Sequence, residues 1–218
     1  LDGGSMTAIV GPNGSGKSSL LRVLAGAQRP GTGDVRTAGR VALIVSSINP
    51  PPDVTPRELV DYGLALRRPW WRLAPSAADT AATHAALAST GLTERADDAV
   101  ATLSSGEIQR AWIAAALASS PAVLLVDEPT SHLDVRYQLD AMRMLSRLSR
   151  GGVAVAVAMH DLTLAARFAD RIALLADGRL VSGPPEEILV AGAVRDAYGV
   201  EVTIHRHPTG GYLVCLPE

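Results

Sequence analysis

The sequence predicts an α/β fold built on a mostly parallel sheet. Three observations support this. The runs 41–45, 122–126 and 153–158 are continuously apolar, as expected of parallel strands covered on both faces. A glycine-rich turn stands between the apolar run 5–10 and a stretch with helical spacing, 19–25. Residues 46–102 then change character, with Pro50-Pro51-Pro52, alanine-rich helical segments and a polar turn around Gly91, and read as a mainly helical insertion between two strands of one sheet.

Taken in order, 5–10 is the first strand and Leu20, Leu21, Val23 and Leu24 give the next stretch its helical face. The run 41–45 is the second strand. After the insertion come a helical stretch at 108–118, strands at 122–126 and 153–158, and a strand at 172–175 that turns through Asp177-Gly178 into a returning strand at 179–182. Pro184-Pro185-Glu186-Glu187 opens a short helix, because proline and acids are favoured in a first turn. The runs 200–204 and 212–216, joined across Pro208-Thr209-Gly210-Gly211, predict a closing hairpin. The expected organisation is one domain over 1–218, with a core from 1–45 and 103–183, a helical subdomain at 46–102, and a C-terminal helix and hairpin at 184–218.

Composition narrows the function. A chain of 218 residues buries roughly 70% of its unfolded surface, enough to fold without disulfides or a structural metal. A net charge of −2 predicts no broad basic face and argues against nucleic acid as a partner. Cys215 is the only cysteine, which excludes an internal disulfide and fits a reducing compartment. No apolar run approaches the ~20 residues that span a bilayer, and Leu1 does not open a signal peptide, so a membrane role is expected through a partner chain. Lys17 is the only lysine. It stands where a compact ammonium on a flexible stem has a defined task, inside a phosphate loop.

That loop is Gly11-Pro12-Asn13-Gly14-Ser15-Gly16-Lys17-Ser18, followed by Ser19, and it matches G-x-x-x-x-G-K-[ST] at every position. Its glycines let the backbone wrap anionic phosphates and turn N–H groups inward, and the following helix adds its positive end. Lys17 is expected on the β- and γ-phosphates of a nucleotide and Ser18 on Mg²⁺. The strand 122–126 runs into Asp127 and Glu128, and a buried strand rarely stops in paired acids unless a cation or a water needs them. Asp127 is expected to hold Mg²⁺ and Glu128 to polarise an attacking water. Leu103-Ser104-Ser105-Gly106-Glu107 precedes a helical stretch. It reads as an anion site of free N–H groups or as a capping box of Ser104 with Glu107, and the segment alone favours the capping box. His160 follows the strand 153–158, at the end where open sheets bind ligands, although a single histidine there is often unremarkable.

Together these residues resemble the ABC ATPase family. GPNGSGKS is similar to its Walker A, LSSGE to its signature, VLLVDE to its Walker B, Ser131-His132-Leu133-Asp134 to its D-loop, and His160 to its switch histidine. The resemblance implies a P-loop NTPase core with a helical ABC-type subdomain, ATP and Mg²⁺ bound and ATP hydrolysed. It also implies a head-to-tail dimer with a second copy, in which Ser104, Gly106, Glu107 and Asp134 act on ATP held by the partner's P-loop. A finer resemblance, to ATPases of ferric siderophore, haem and cobalamin importers, rests on Pro129 to Asp134, on Val54-Thr55-Pro56-Arg57-Glu58-Leu59-Val60 and on Tyr198-Gly199-Val200-Glu201-Val202. It implies a permease partner at the inner face of the cell membrane. Zinc and manganese importer ATPases are similar enough to stay open as alternatives, as is a soluble ABC ATPase of a cytosolic assembly system. Proteins of chromosome maintenance carry long insertions that the interval from Lys17 to Ser104 has no room for.

Three departures from the family stand out. The sequence starts at Leu1, shortly before Gly11, so the antiparallel strand pair that the family carries before the P-loop, with its adenine-stacking aromatic, is expected to be truncated here. Ser46 stands where the family has a glutamine near Mg²⁺ and the attacking water, with Ser47 and Asn49 as candidate substitutes. The signature has Ser105 for a glycine and Glu107 for a glutamine. Trp70 and Trp71, in a basic, proline-broken stretch, are candidates for the surface that meets the permease.

Overall fold

The computed structural model describes residues 1–218 apart from 46–49, 66–70, 73 and 132. The expectations placed on Ser46, Ser47, Asn49, Trp70 and His132 therefore fall outside the described residues. Trp71 is described and is 70% exposed.

The chain alternates strand and helix. β1 (Met6–Val10) leads through the glycine-rich turn into α1 (Lys17–Leu24), and β2 (Val41–Val45) follows. Helices α2 (Pro56–Ala65), α3 (Ala77–Ser89) and α4 (Ser105–Ala118) come next, then β3 (Val123–Asp127), α5 (Val135–Arg150), β4 (Ala154–Ala158) and α6 (Leu162–Phe168). β5 (Arg171–Ala176) and β6 (Arg179–Gly183) form a hairpin, α7 (Pro185–Ile188) and α8 (Ala191–Tyr198) follow, and β7 (Val202–Arg206) with β8 (Leu213–Pro217) closes the fold.

Among the described residues β1 to β6 form one sheet in the order β2-β3-β4-β1-β5-β6, and β7 pairs with β8 alone. β1 runs parallel to both β4 and β5, β3 runs parallel to both β2 and β4, and β6 alone is antiparallel. The chain leaves β1 toward one edge and returns after β4 on the other side of β1. Such a reversal opens a crevice at the carboxyl ends of the strands.

Successive side chains of a strand point to opposite faces, and both faces are covered here. Met6, Ala8, Leu124, Val126, Val155, Val157 and Ile172 pack with Ile113 of α4 and with Met142 and Leu145 of α5. Ile9, Leu125, Ala156 and Ala173 pack on the other face with Leu21 of α1. This double burial explains why the strands read as unbroken apolar runs. A third cluster joins Leu59, Val60 and Leu64 of α2, Leu87 of α3 and Ala111, Ala114 and Ala115 of α4. Trp112 packs against both this cluster and the sheet, so α4 ties the helical layer to the core.

The α/β class and the parallel sheet agree with the sequence reading, while several boundaries move. The first helix begins at Lys17, not residue 19, because Leu20 N already donates to Gly16 O at 2.8 Å. α4 begins at Ser105, not residue 108, because Ser104 caps it. The closing hairpin is shifted toward the C-terminus. Gly199, at φ 69, ends α8 and the chain uses Val200 and Glu201 to leave it. Asp177 and Gly178 both have positive φ, 49 and 72, which is the mirror-image turn that tight hairpins prefer. Helices α5, α6 and α8 have no counterpart among the sequence expectations.

Candidate functional site

The glycine-rich turn is fixed by its packing on the sheet. A Cβ on Gly11 would fall 2.1 Å from the carbonyl oxygen of Leu175, so only glycine lets the end of β1 pass β5 at this height. Ser15 N donates to Pro12 O at 3.2 Å across the turn. The Lys17 ammonium lies inside it, donating to Gly11 O at 2.8 Å and Pro12 O at 2.9 Å. Lys17 is only 6% exposed. Burial pulls its pKa below the ordinary lysine value, against the opposing attraction of Glu128 and Asp127.

The two strand-end acids face this turn differently. Asp127, 8% exposed, accepts a hydrogen bond from Ser18 Oγ at 3.0 Å. Glu128 leaves the sheet with φ 52, a left-handed conformation uncommon outside glycine, and its N–H donates to Ala158 O at 2.9 Å. That turn swings its carboxylate toward β4. One oxygen accepts from Ser131 Oγ at 2.8 Å and the other lies 2.6 Å from His160 Nε2. The Ser131 hydroxyl does most to hold the Glu128 pKa below the usual carboxylate range, with further help from His160 and against partial burial.

Asn13, Gly14, Gly16, Lys17, Ser18, Ser19, Glu128 and His160 line one cleft of about 220 Å³ at the carboxyl ends of β1, β3 and β4. An apolar cavity of about 580 Å³ lies elsewhere, between β2 and helices α2 and α4, lined by Leu43, Ile44, Leu59, Tyr62 and Trp112. The smaller cleft is the chemical one, because it gathers an ammonium, a loop of backbone N–H groups, a carboxylate and an imidazole.

Ser104, Gly106, Glu107 and Asp134 do not line that cleft. Ser104 and Glu107 form a complete capping box. Ser104 Oγ accepts from Glu107 N at 3.3 Å, and Glu107 Oε2 accepts from Ser104 N and Ser104 Oγ at 2.8 Å each. These bonds hold the Glu107 carboxyl below its usual range. Asp134 stands at the N-cap of α5 without a side-chain capping bond.

Two further residues support the cleft in ways the sequence reading does not assign to them, since it names Ser131 only within the D-loop and Tyr198 only within the importer-like tail. Ser131 sits three positions after Glu128, close enough to return to it. Tyr198 is half-buried with its hydroxyl enclosed near the Gly11 amide, and among the described residues that hydroxyl makes no full hydrogen bond. Burial pushes the Tyr198 pKa up to about 12. Only the folded chain brings α8 to Gly11.

A parallel sheet with this loop between its first strand and helix is the P-loop nucleotide-binding architecture. Residues 1–131 match the ABC transporter family, and the chain belongs to it. The chain is 38% identical over 232 aligned residues to the ferric enterobactin transport ATP-binding protein FepC of Escherichia coli (strain K12), covering 98% of this chain and 84% of that protein. A solved structure described as an inward-facing conformation of a metal-chelate type ABC transporter superposes with a TM-score of 0.92 at 25% identity, over 100% of this chain and 88% of that one. A dimeric post-hydrolysis ATP-binding cassette bound to ADP and Pi superposes with a TM-score of 0.71 at 28% identity, over 84% of this chain and 86% of that one. The chain is thus an ABC ATPase, with ATP and Mg²⁺ as its substrate pair. Among the described residues no three His, Cys, Asp or Glu side chains gather as a metal site. The adjacent oxygens of Ser18 and Asp127 nevertheless suit Mg²⁺, which takes one or two protein oxygens and completes its shell with phosphate and water.

Proposed function

We propose that the chain is the ATP-hydrolysing subunit of a membrane importer whose cargo is an iron chelate or a related macrocycle, a ferric siderophore, haem or cobalamin. The transport role and the cargo class rest on 38% identity to a ferric enterobactin transport subunit across nearly the whole chain. Among the described residues no helix is long and apolar enough to cross a membrane, so contact with the bilayer runs through a permease.

In this reading the N–H groups of Gly11 to Ser19 cradle the phosphates and Lys17 neutralises charge on the β- and γ-phosphates. Ser18 and Asp127 hold Mg²⁺, which supplies charge neutralisation across the phosphates when bound. Glu128 orients the attacking water and accepts its hydrogen bond, and His160 holds the carboxylate in place. A second copy, related by a two-fold axis, presents Ser104, Gly106, Glu107 and Asp134 to the same nucleotide. The observation that carries the hydrolytic assignment is the Glu128 carboxylate, turned out of the sheet and gripped by Ser131 and His160 in the cleft that holds Lys17.

The test is twofold. The purified chain should hydrolyse Mg-ATP and lose turnover in Glu128→Gln, and the tagged chain should co-purify with a polytopic membrane protein from its own cell. Hydrolysis without such a partner would reduce the reading to a soluble ABC ATPase.

A further inference from the structure

Asparagine is almost absent from this chain, which has only Asn13 and Asn49. Asn49 precedes Pro50, whose nitrogen carries no proton. Asn13 precedes Gly14 at the tip of the phosphate turn. Ser15 N donates to Pro12 O at 3.2 Å across these two residues, and Gly14 has φ 78 in the third position, the geometry of a type II turn. Both residues are exposed, and both line the cleft with Lys17 and Glu128. A Cβ on Gly14 would meet nothing within 4 Å. Among the described residues neither the Asn13 amide nor the Gly14 N–H has a hydrogen-bond partner.

An asparagine side chain can close on the amide nitrogen of the next residue when that residue has no Cβ to obstruct the ring. Here the Gly14 nitrogen loses its proton and bonds to Asn13 Cγ. The Cγ–Nδ2 bond breaks, and the amide nitrogen leaves as ammonia with that proton. Water then opens the imide at one of its two C–N bonds. Opening at Cγ restores the ordinary chain with aspartate at position 13. Opening at the main-chain carbonyl leaves isoaspartate, with the chain rerouted through the side chain. Either product sets a new carboxylate in the cleft, and a like charge there repels phosphate.

We propose that Asn13-Gly14 is a self-modification site, whose loss of ammonia disables the nucleotide-free chain and is held off by bound nucleotide. The protection rests on the nucleotide reading above. A Gly14 N–H given to a phosphate keeps its proton, and a turn clamped on phosphates loses the freedom that ring closure needs. The bare chain therefore has a finite chemical lifetime set by one dipeptide.

The experiment incubates the full chain for days at mildly alkaline pH, bare and with the magnesium complex of adenylyl imidodiphosphate. A synthetic peptide of residues 8–18 runs beside it as a clock. Intact mass and released ammonia follow the reaction, the tryptic peptide ending at Lys17 locates it, and trinitrophenyl-ATP measures the affinity left. The bare chain should release ammonia from Asn13, and its converted fraction should bind the analogue about tenfold more weakly, as fresh Asn13→Asp does. The nucleotide complex should convert several-fold more slowly, and Asn13→Ala not at all. Asp2 and Asp177 also precede glycine, but closure there expels a water that returns on opening, so neither mass nor ammonia changes.

A bare chain that keeps its mass while the clock peptide converts overturns the proposal, and so does ammonia loss that persists in Asn13→Ala. A converted fraction with native affinity overturns the disabling effect. Equal conversion of the bare chain and of a chain shown to hold the nucleotide overturns the protection. A fresh chain that does not bind trinitrophenyl-ATP strikes the nucleotide reading instead, and the mass of the bare chain still decides whether Asn13 is modified.

Discussion

His160 Nε2 lies 2.6 Å from one oxygen of Glu128, and the other oxygen of that carboxylate is held by Ser131. A general base gripped from both sides keeps one orientation and stays ionised. Glu128→Gln keeps the shape and removes the charge, so hydrolysis should fall on the order of 10²–10⁴-fold while ATP still binds. Single-turnover hydrolysis together with equilibrium nucleotide binding checks both halves of this expectation.

Ser131→Ala removes the largest influence holding the Glu128 pKa down. The folded-state pKa of Glu128 should then rise, so more of the carboxylate is protonated at a given acid pH. The acid limb of the rate profile should move to higher pH in the variant, with the plateau near neutrality little changed. A limb that stays in place would mean that the hydroxyl does not tune the base.

Lys17→Ala takes out the sole ammonium of the cleft. Hydrogen bonds to charged groups contribute roughly 1.5–3 kcal/mol, so ATP affinity should drop by about one to two orders of magnitude. Turnover should fall further still, because transition-state charge loses its partner. Titration with a fluorescent ATP analogue measures the first effect.

Ser104→Ala breaks the capping box of α4. Loss of an N-cap costs about 0.5–2 kcal/mol, which lowers Tm by roughly 2–4 °C per kcal/mol for a chain of this size. Thermal melting without nucleotide isolates this structural contribution from any loss of ATP-dependent dimerisation.

Tyr198 holds its proton to about pH 12 when folded and to 10.0 at its ordinary value. Between these values the folded state binds more protons than the unfolded one, so stability from this group falls as pH rises through the window. Tyr198→Phe should remove that part of the alkaline destabilisation. It should cost little at neutral pH, because among the described residues the hydroxyl has no full hydrogen bond to lose. Denaturant melts at pH 8 and about pH 11 of the two proteins decide this.

The parts legible in the sequence are those whose chemistry is contiguous. The P-loop, the paired acids at the end of β3 and the Asp177-Gly178 turn each declare themselves within a few residues, because one backbone conformation serves one local task. Double burial left strand positions clear and strand ends blurred, since no polar alternation marks where an apolar run stops being sheet. Helix α5 carried a readable stripe in Met142 and Leu145, with Arg143 between them and Arg147 and Arg150 after, and its absence from the sequence expectations has no physical excuse. Helix α8 is different. Of its eight residues only Val194 is fully buried, too little to give a period. Contacts such as Tyr137 on Gly106 and Tyr198 near Gly11 join distant segments, and no local pattern announces them.

The sole lysine of these 218 residues is also the best buried basic group among the described residues, enclosed by the carbonyls of Gly11 and Pro12. Within these 218 residues amine acylation therefore has one side-chain address, Lys17. A nucleotide seated over the turn would guard it against a reagent such as acetic anhydride. The extent of single-site acylation, read by mass, then becomes an occupancy gauge that needs no engineered label.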